Sequence, residues 1–250
     1  MGHQATAPHP APRRRYPAPH GGPGAGGRGA GSSYDGRVSD ASSTAPGPLD
    51  LPAGPRPDPT PSPEILLELV DPSGTTVGVT DKTSAHLAPG RLHRAFSVFL
   101  LDPDGRMLLQ RRALTKYHSP GVWSNTCCGH PFPGEAPADA AARRLGEELG
   151  VAIPARRLTA AGPVLYRHAD PRTGLVEHEY THVFVSVFVA GRDGVVDLNP
   201  AEVDDVAFVH PDGLVALRGT GTLSVWFEDV LRGARPALGQ LTTTDWTVPA

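Results

Sequence analysis

Residues 121–151 begin Gly121-Val122-Trp123-Ser124-Asn125-Thr126-Cys127-Cys128-Gly129-His130-Pro131-Phe132-Pro133-Gly134-Glu135 and close on Arg143-Arg144-Leu145-Gly146-Glu147-Glu148-Leu149-Gly150-Val151. From Glu135 to Leu149 the chain is alanine-rich and free of proline after Pro137. This predicts one central helix stopped by Gly150. Glu147 and Glu148 fall at the C-terminal end of that helix, where the helix dipole disfavours anions. An exposed helix end is the plain reading of such a pair; a bound cation is the functional one. Just upstream, a Cys-Cys-Gly-His cluster places thiols and an imidazole together.

The neighbouring segments read as strands. Ile65 to Val70 is a short apolar run ended by the turn sequence Asp71-Pro72-Ser73-Gly74. Val77 to Val79 starts a second strand. Arg94 to Leu101 is strongly strand-like, and Asp102-Pro103-Asp104-Gly105 turns it into Met107 to Arg111 as a hairpin. Leu175 to Val189 gives one or two strands, Val206 to Val209 another, and Leu223 to Leu231 a last amphipathic helix. The expected architecture is mixed α/β: hairpins around one principal helix.

The chain has 250 residues, enough for one mid-sized domain. Its 29 glycines and 28 prolines crowd the beginning. Residues 1–63 are Pro, Gly, Ala, Ser and Arg with few aliphatics, and cannot bury enough apolar surface to offset chain entropy. They are read as a disordered tail, residues 64–234 as the folded domain, and 235–250 as a loose C-terminal tail. No apolar region follows Arg13-Arg14-Arg15, and no run reaches membrane-spanning length. A net charge of −3 does not favour nucleic acid. The two cysteines are adjacent, which argues against a disulfide framework. The chain is therefore read as cytoplasmic. Its oligomeric state is left open.

Glu177 and Glu179 flank His178 in a strand, so alternation puts both carboxylates on one face. Two such carboxylates repel unless a cation or a shared proton lies between them. His86, His93 and His130 could complete a three-nitrogen, two-carboxylate set suited to Mn2+, Mg2+ or, in an unusual high-coordination site, Zn2+. Lys82, Arg111, Arg112, Lys116 and Arg144 are cations around this candidate site, and arginine forks match phosphate oxygens. Taken alone, scattered basic residues are simply a wet surface.

The motifs together resemble the type 1 isopentenyl-diphosphate Δ-isomerases of the Nudix superfamily. The carrying segments are Asp81-Lys82, Ala85-His86, Arg91 to Ser97, Gln110 to Lys116, Pro120 to Pro131, Tyr166-Arg167 and Glu177-His178-Glu179, covering roughly residues 77–226. Gly129 to Val151 is similar to the Nudix box with one break: where the box has Arg-Glu, this chain has Arg143-Arg144. The resemblance implies a Nudix fold, with mixed sheets flanked by helices in an α/β/α sandwich. It implies isomerisation of isopentenyl diphosphate to dimethylallyl diphosphate, with a small prenyl diphosphate as substrate.

The same resemblance implies site residues. Glu179, with Tyr166 beside it, is assigned to the protonating side, and Cys128 to proton removal at the opposite face. Trp226 would stabilise the carbocation. Cys127 would be a buried bystander. His86, His93, His130, Glu177 and Glu179 would ligate a first divalent ion: Mn2+, Zn2+ or Mg2+. Glu148 and the Cys128 carbonyl would contact a Mg2+ carried in on the diphosphate. Lys82, Arg111, Arg112, Lys116 and Arg144 would grip the diphosphate, Arg111 with the weakest claim. Glu147 is left outside the main site. Rival readings are a diphosphate hydrolase, which Arg144 argues against, and a structural zinc module, which would want more than one Cys/His cluster.

Overall fold

The computed structural model describes the pair Arg14–Arg15 and residues 65–247. Its strands are β1 (Arg14–Arg15), β2 (Leu66–Val70), β3 (Thr76–Asp81), β4 (His93–Leu101), β5 (Met107–Arg112), β6 (Trp123–Ser124), β7 (Cys127–Gly129), β8 (Thr159–Ala169), β9 (Val176–Val187), β10 (Asp197–Leu198) and β11 (Val203–Val209). The helices are α1 (Lys82–His86), α2 (Pro137–Leu149), α3 (Pro211–Gly219) and α4 (Phe227–Leu241). Most of the segment read as a disordered tail lies outside the described residues. The exception is β1, which pairs antiparallel with β10.

Nine strands form one sheet around β4. Nearly every residue of β4 is buried, as in a strand covered on both faces. Along one edge it runs parallel to β9 over its whole length. It also pairs with β2 at His93, with β7 at Phe96 to Val98 and with β5 at Leu100 and Leu101. The hairpin expected between β4 and β5 is therefore closed only at its turn, because β7 pairs with the middle of β4. Beyond those two rungs the same edge of β5 pairs with β6, while β11 pairs with β5 from Met107 to Arg112 along the other edge.

Alternation along the strands divides the apolar residues between two cores. Phe99, Leu101, Met107, Leu109, Val183 and Val185 face α4, whose Phe227, Val230, Leu231, Ala234 and Leu238 pack on them. Phe96, Val98, Leu100, Leu108 and Phe184 face α2 through Ala140, Ala141, Leu145 and Leu149. The result is the expected α/β/α sandwich. Helix α2 opens with Pro137 in its first turn and ends at Gly150, whose φ of 67° is left-handed. A Cβ at Gly150 would meet the Asp197 Cβ at 2.8 Å, a second reason for glycine there.

Three expectations need correction. Glu135 lies before the helix, where its carboxylate accepts from the Phe132 N–H and from Arg143. Strand β8 was not anticipated: Gly162 and Pro163 interrupt its pattern, and it pairs only with β9, as an edge strand carrying proline does. The stretch from Arg235 is not loose as far as it is described. Helix α4 continues through Pro236 to Leu241, and Ala237, Leu238 and Trp246 are buried. Burial there outweighs the hydrogen bond that proline removes. Among the described residues, no helix is long and apolar enough to cross a membrane.

Leu238 is 1% exposed in the α4 core. Leu238→Ala is expected to lower stability by about 2–5 kcal/mol in denaturant unfolding. An unchanged midpoint would mean that this part of the chain is loose after all.

Candidate metal and diphosphate site

The N-terminal ends of β4 and β9 lie side by side, with His93 opposite Glu179. Helix α1 brings in His86, and the end of β7 leads into His130. The His86 Nδ1–H donates to the Lys82 carbonyl at 2.7 Å, and the His93 Nδ1–H to the Arg91 carbonyl at 2.8 Å. A carbonyl can only accept, so both Nε2 atoms are left as lone-pair donors facing inward.

The ligand atoms of His86, His93, His130 and Glu179 lie within 4.8 Å of one another. His130 Nε2 stands 3.1 Å from His93 Nε2 and 3.2 Å from Glu179 Oε1. His86 Nε2 stands 3.3 Å from Glu177 Oε2, a buried oxygen with no hydrogen-bond partner. Two acceptors at that separation repel unless a cation joins them. Burial, opposed by Glu179, pushes His130 down to about 3, so its imidazole is neutral near pH 7. This donor set fits a divalent metal ion. Burial and mutual repulsion raise Glu179, but the neighbouring His130 and His93 outweigh them and hold it at about 2. Glu177 is also held below the usual range: burial raises it, and His118 and His86 overcome that.

Tyr166 stands opposite Glu179 on β8 and donates its hydroxyl to Glu179 Oε2 at 2.5 Å; Thr181 Oγ1 donates to the same oxygen at 2.9 Å. Burial and the two glutamates push the Tyr166 phenol well above its ordinary value, so it is a neutral donor.

A cavity of about 230 Å³ has Tyr166, Glu177, Glu179, Cys128 and Trp226 on its wall together with Lys82, Arg112, Lys116 and Arg144. Cys128 Sγ lies 3.9 Å from an Arg112 nitrogen. Burial, opposed by Arg112, pushes the Cys128 thiol up to about 12. Cys127 is wholly buried in the core on the α2 side, where a bystander belongs. Trp226 donates from Nε1 to Asn125 Oδ1 at 3.2 Å, and the Arg112 guanidinium stands 5.6 Å from its ring centroid. The tryptophan face thus already meets a cation.

The basic wall is crowded. Burial, then Lys116 and Arg112, lower Lys82 to about 8. Lys116 is paired with Glu202, and Arg144 with Glu148, Glu147 and Glu202. Glu202 was not anticipated; burial raises it, but Lys116 and Arg144 hold it at about 2. Arg111 does not join the site. It pairs with Asp204 at 2.7 Å, because adjacent strand residues point to opposite faces and Arg112 takes the side toward the cavity. Glu148 is buried behind Arg144, accepting from Gln110, whereas Glu147 lines the cavity. A further histidine went unnoticed: His118 Nδ1 lies 2.9 Å from Glu177 Oε1. Its place in the short gap between the segments Gln110 to Lys116 and Pro120 to Pro131 was the available signal.

The NUDIX domain model matches residues 91–229, more than half of the chain. The isopentenyl-diphosphate Delta-isomerase of Streptomyces coelicolor is 58% identical over 72% of this chain and 88% of its own length. That of Streptomyces griseus is 56% identical over 71% and 87%. The crystal structure of DR0079 from Deinococcus radiodurans superposes with a TM-score of 0.51 at 22% identity, covering 68% of this chain and 99% of that one, and supports the fold alone. With matches of this extent, the chain belongs to the isopentenyl-diphosphate Delta-isomerase family of NUDIX proteins.

Proposed function

We propose that this chain isomerises isopentenyl diphosphate to dimethylallyl diphosphate, and that Cys128 and the Tyr166–Glu179 pair carry the protons. The supporting observation is that both carriers share one cavity with Lys82, Arg112, Lys116 and Arg144, cations that a diphosphate would match. The terminal alkene takes a proton with its π electrons, leaving a tertiary cation. A C–H bond next to the diphosphate-bearing carbon then gives up its proton, and its electron pair becomes the new double bond. Glu179 is assigned to protonation in the form that has taken up a proton, held in place by the Tyr166 and Thr181 hydroxyls at its Oε2. Cys128 is assigned to proton removal as the thiolate, its own proton leaving to solvent as Glu179 gains one, with Arg112 beside it as counter-charge. Each carrier serves the reverse direction in the opposite role. The Trp226 face stabilises the cation between them.

His86, His93, His130, Glu177 and Glu179 would hold a divalent ion, Mn2+, Zn2+ or Mg2+, whose charge would make the Glu179 carboxyl more acidic and fix its orientation. Lys82, Arg112, Lys116 and Arg144 hold the diphosphate, which would bring its own Mg2+ toward Glu148, Glu147 and the Cys128 carbonyl.

Proton NMR of isopentenyl diphosphate incubated with the protein and Mg2+ in D2O should show allylic methyl signals and deuterium uptake. Release of phosphate or pyrophosphate without those signals would sink the assignment. Cys128→Ala should fold with an unchanged melt and lose about 10²–10⁴-fold in kcat; full activity would remove the thiol from the reaction. Arg112→Ala should raise KM about tenfold or more through loss of charge-assisted hydrogen bonds, whereas Arg111→Ala should leave KM within about twofold, since that side chain faces away from the cavity.

A further inference from the structure

His118 is 4% exposed and lies in the turn between β5 and β6, where its ring, His86 and Glu177 bring their ligand atoms within 4.8 Å of one another. Its Nδ1 meets Glu177 Oε1 at 2.9 Å, and since a carboxylate only accepts, Nδ1 carries the hydrogen. Its Nε2 is buried without a hydrogen-bond partner, 3.8 Å from Asp170 Oδ2. The ring therefore has one bond, and that bond goes to a candidate metal ligand.

The turn that carries the ring is anchored on two sides. Ser119 Oγ donates to Asp170 Oδ2 at 2.7 Å, while Asp170 Oδ1 accepts from the Arg172 N–H at 2.8 Å. The carbonyls of His118 and Ser119 accept from Arg112 at 3.0 and 3.1 Å. Ser119 has a φ of 46°, the left-handed region that a non-glycine residue adopts only where its surroundings hold it. A glutamate's last torsion is broad and settles its oxygens only weakly by itself. Holding Oε1 fixes Oε2, and Oε2 is the unpartnered oxygen facing His86 Nε2 at 3.3 Å.

We propose that His118 is a positioning residue that holds Glu177 by one oxygen so that the other is aimed at the metal ion. This rests on the reading that the His/Glu cluster holds a divalent ion. Through Arg112, the same turn connects the diphosphate grip to that cluster.

The test is calorimetric titration of metal-stripped protein with Co2+, accompanied by the visible spectrum of the bound ion. His118→Leu should weaken Co2+ binding about 10–100-fold, the usual cost of losing a partner that orients a ligand. His118→Asn, whose amide can still donate to Glu177, should recover to within about threefold of wild type and keep the wild-type spectrum. Wild-type affinity in His118→Leu overturns the proposal. An Asn variant as weak as the Leu variant, with an altered spectrum, also overturns it by making His118 a ligand. If the unaltered protein takes up no Co2+, or if His93→Ala binds it equally well, the ion reading itself fails, which is a separate result.

Discussion

The parallel pairing of β4 with β9 governs the site. It sets His93 opposite Glu179 and runs on through Leu101 opposite Val187. Side chains alternate with a period of two, so a slip of one residue would carry Glu177 and Glu179 to the α2 face and bring His178 in their place. What prevents the slip is apolar burial further along the same strands. Val183 and Val185 fill the core under α4, and Phe184 fills the core under α2. Both faces must be satisfied at once, and only one register does so. The cores thus orient carboxylates that lie further along the strand, and touch them through Tyr166.

The cavity above is divided by charge. On one side two carboxylates are surrounded by imidazoles, and on the other Lys82, Arg112, Lys116, Arg143 and Arg144 crowd together with Glu147 and Glu202 among them. Charges removed from water are stable only when compensated. Lys116 and Arg144 find compensation in Glu202, whereas Lys82 falls to about 8 because burial, Lys116 and Arg112 outweigh the pull of Glu177. An anion against the basic wall and a divalent cation against the carboxylates would relieve both sides. The two ligands are therefore electrostatically complementary to the cavity and to each other.

Much of this was legible in the sequence because it depends on local pattern. Alternation placed Glu177 and Glu179 together, and the family resemblance singled out Cys128, the cysteine immediately before Gly129-His130. The central helix was readable from its alanines and its closing glycine. The parts that escaped depend on distant partners. Strand β8 is hidden by Gly162 and Pro163 and exists because β9 offers it an edge. Helix α4 passes Pro236 because Ala237 and Leu238 are buried by residues remote in sequence. Arg111 and Arg112 look alike in one dimension, and only the pairing of β5 with β11 sends Arg111 to Asp204. Glu202 carries no motif; it matters because the chain returns past Lys116 and Arg144.

The break in the Nudix box can be understood from the contacts of Arg144. Its guanidinium meets Glu147, Glu148 and Glu202 together. A glutamate in its place would face those three carboxylates without a counter-charge, and the group could remain ionised only by collecting metal ions. Such a collection could position ions and water for attack on phosphorus. Arginine at 144 supplies the counter-charge from within the chain, and its side chain forms part of the cavity wall. The acidic cluster is then spent on holding a cationic grip instead of assembling ions around a water molecule. On the proposed reading, this one difference in the helix favours retention of a diphosphate over its cleavage.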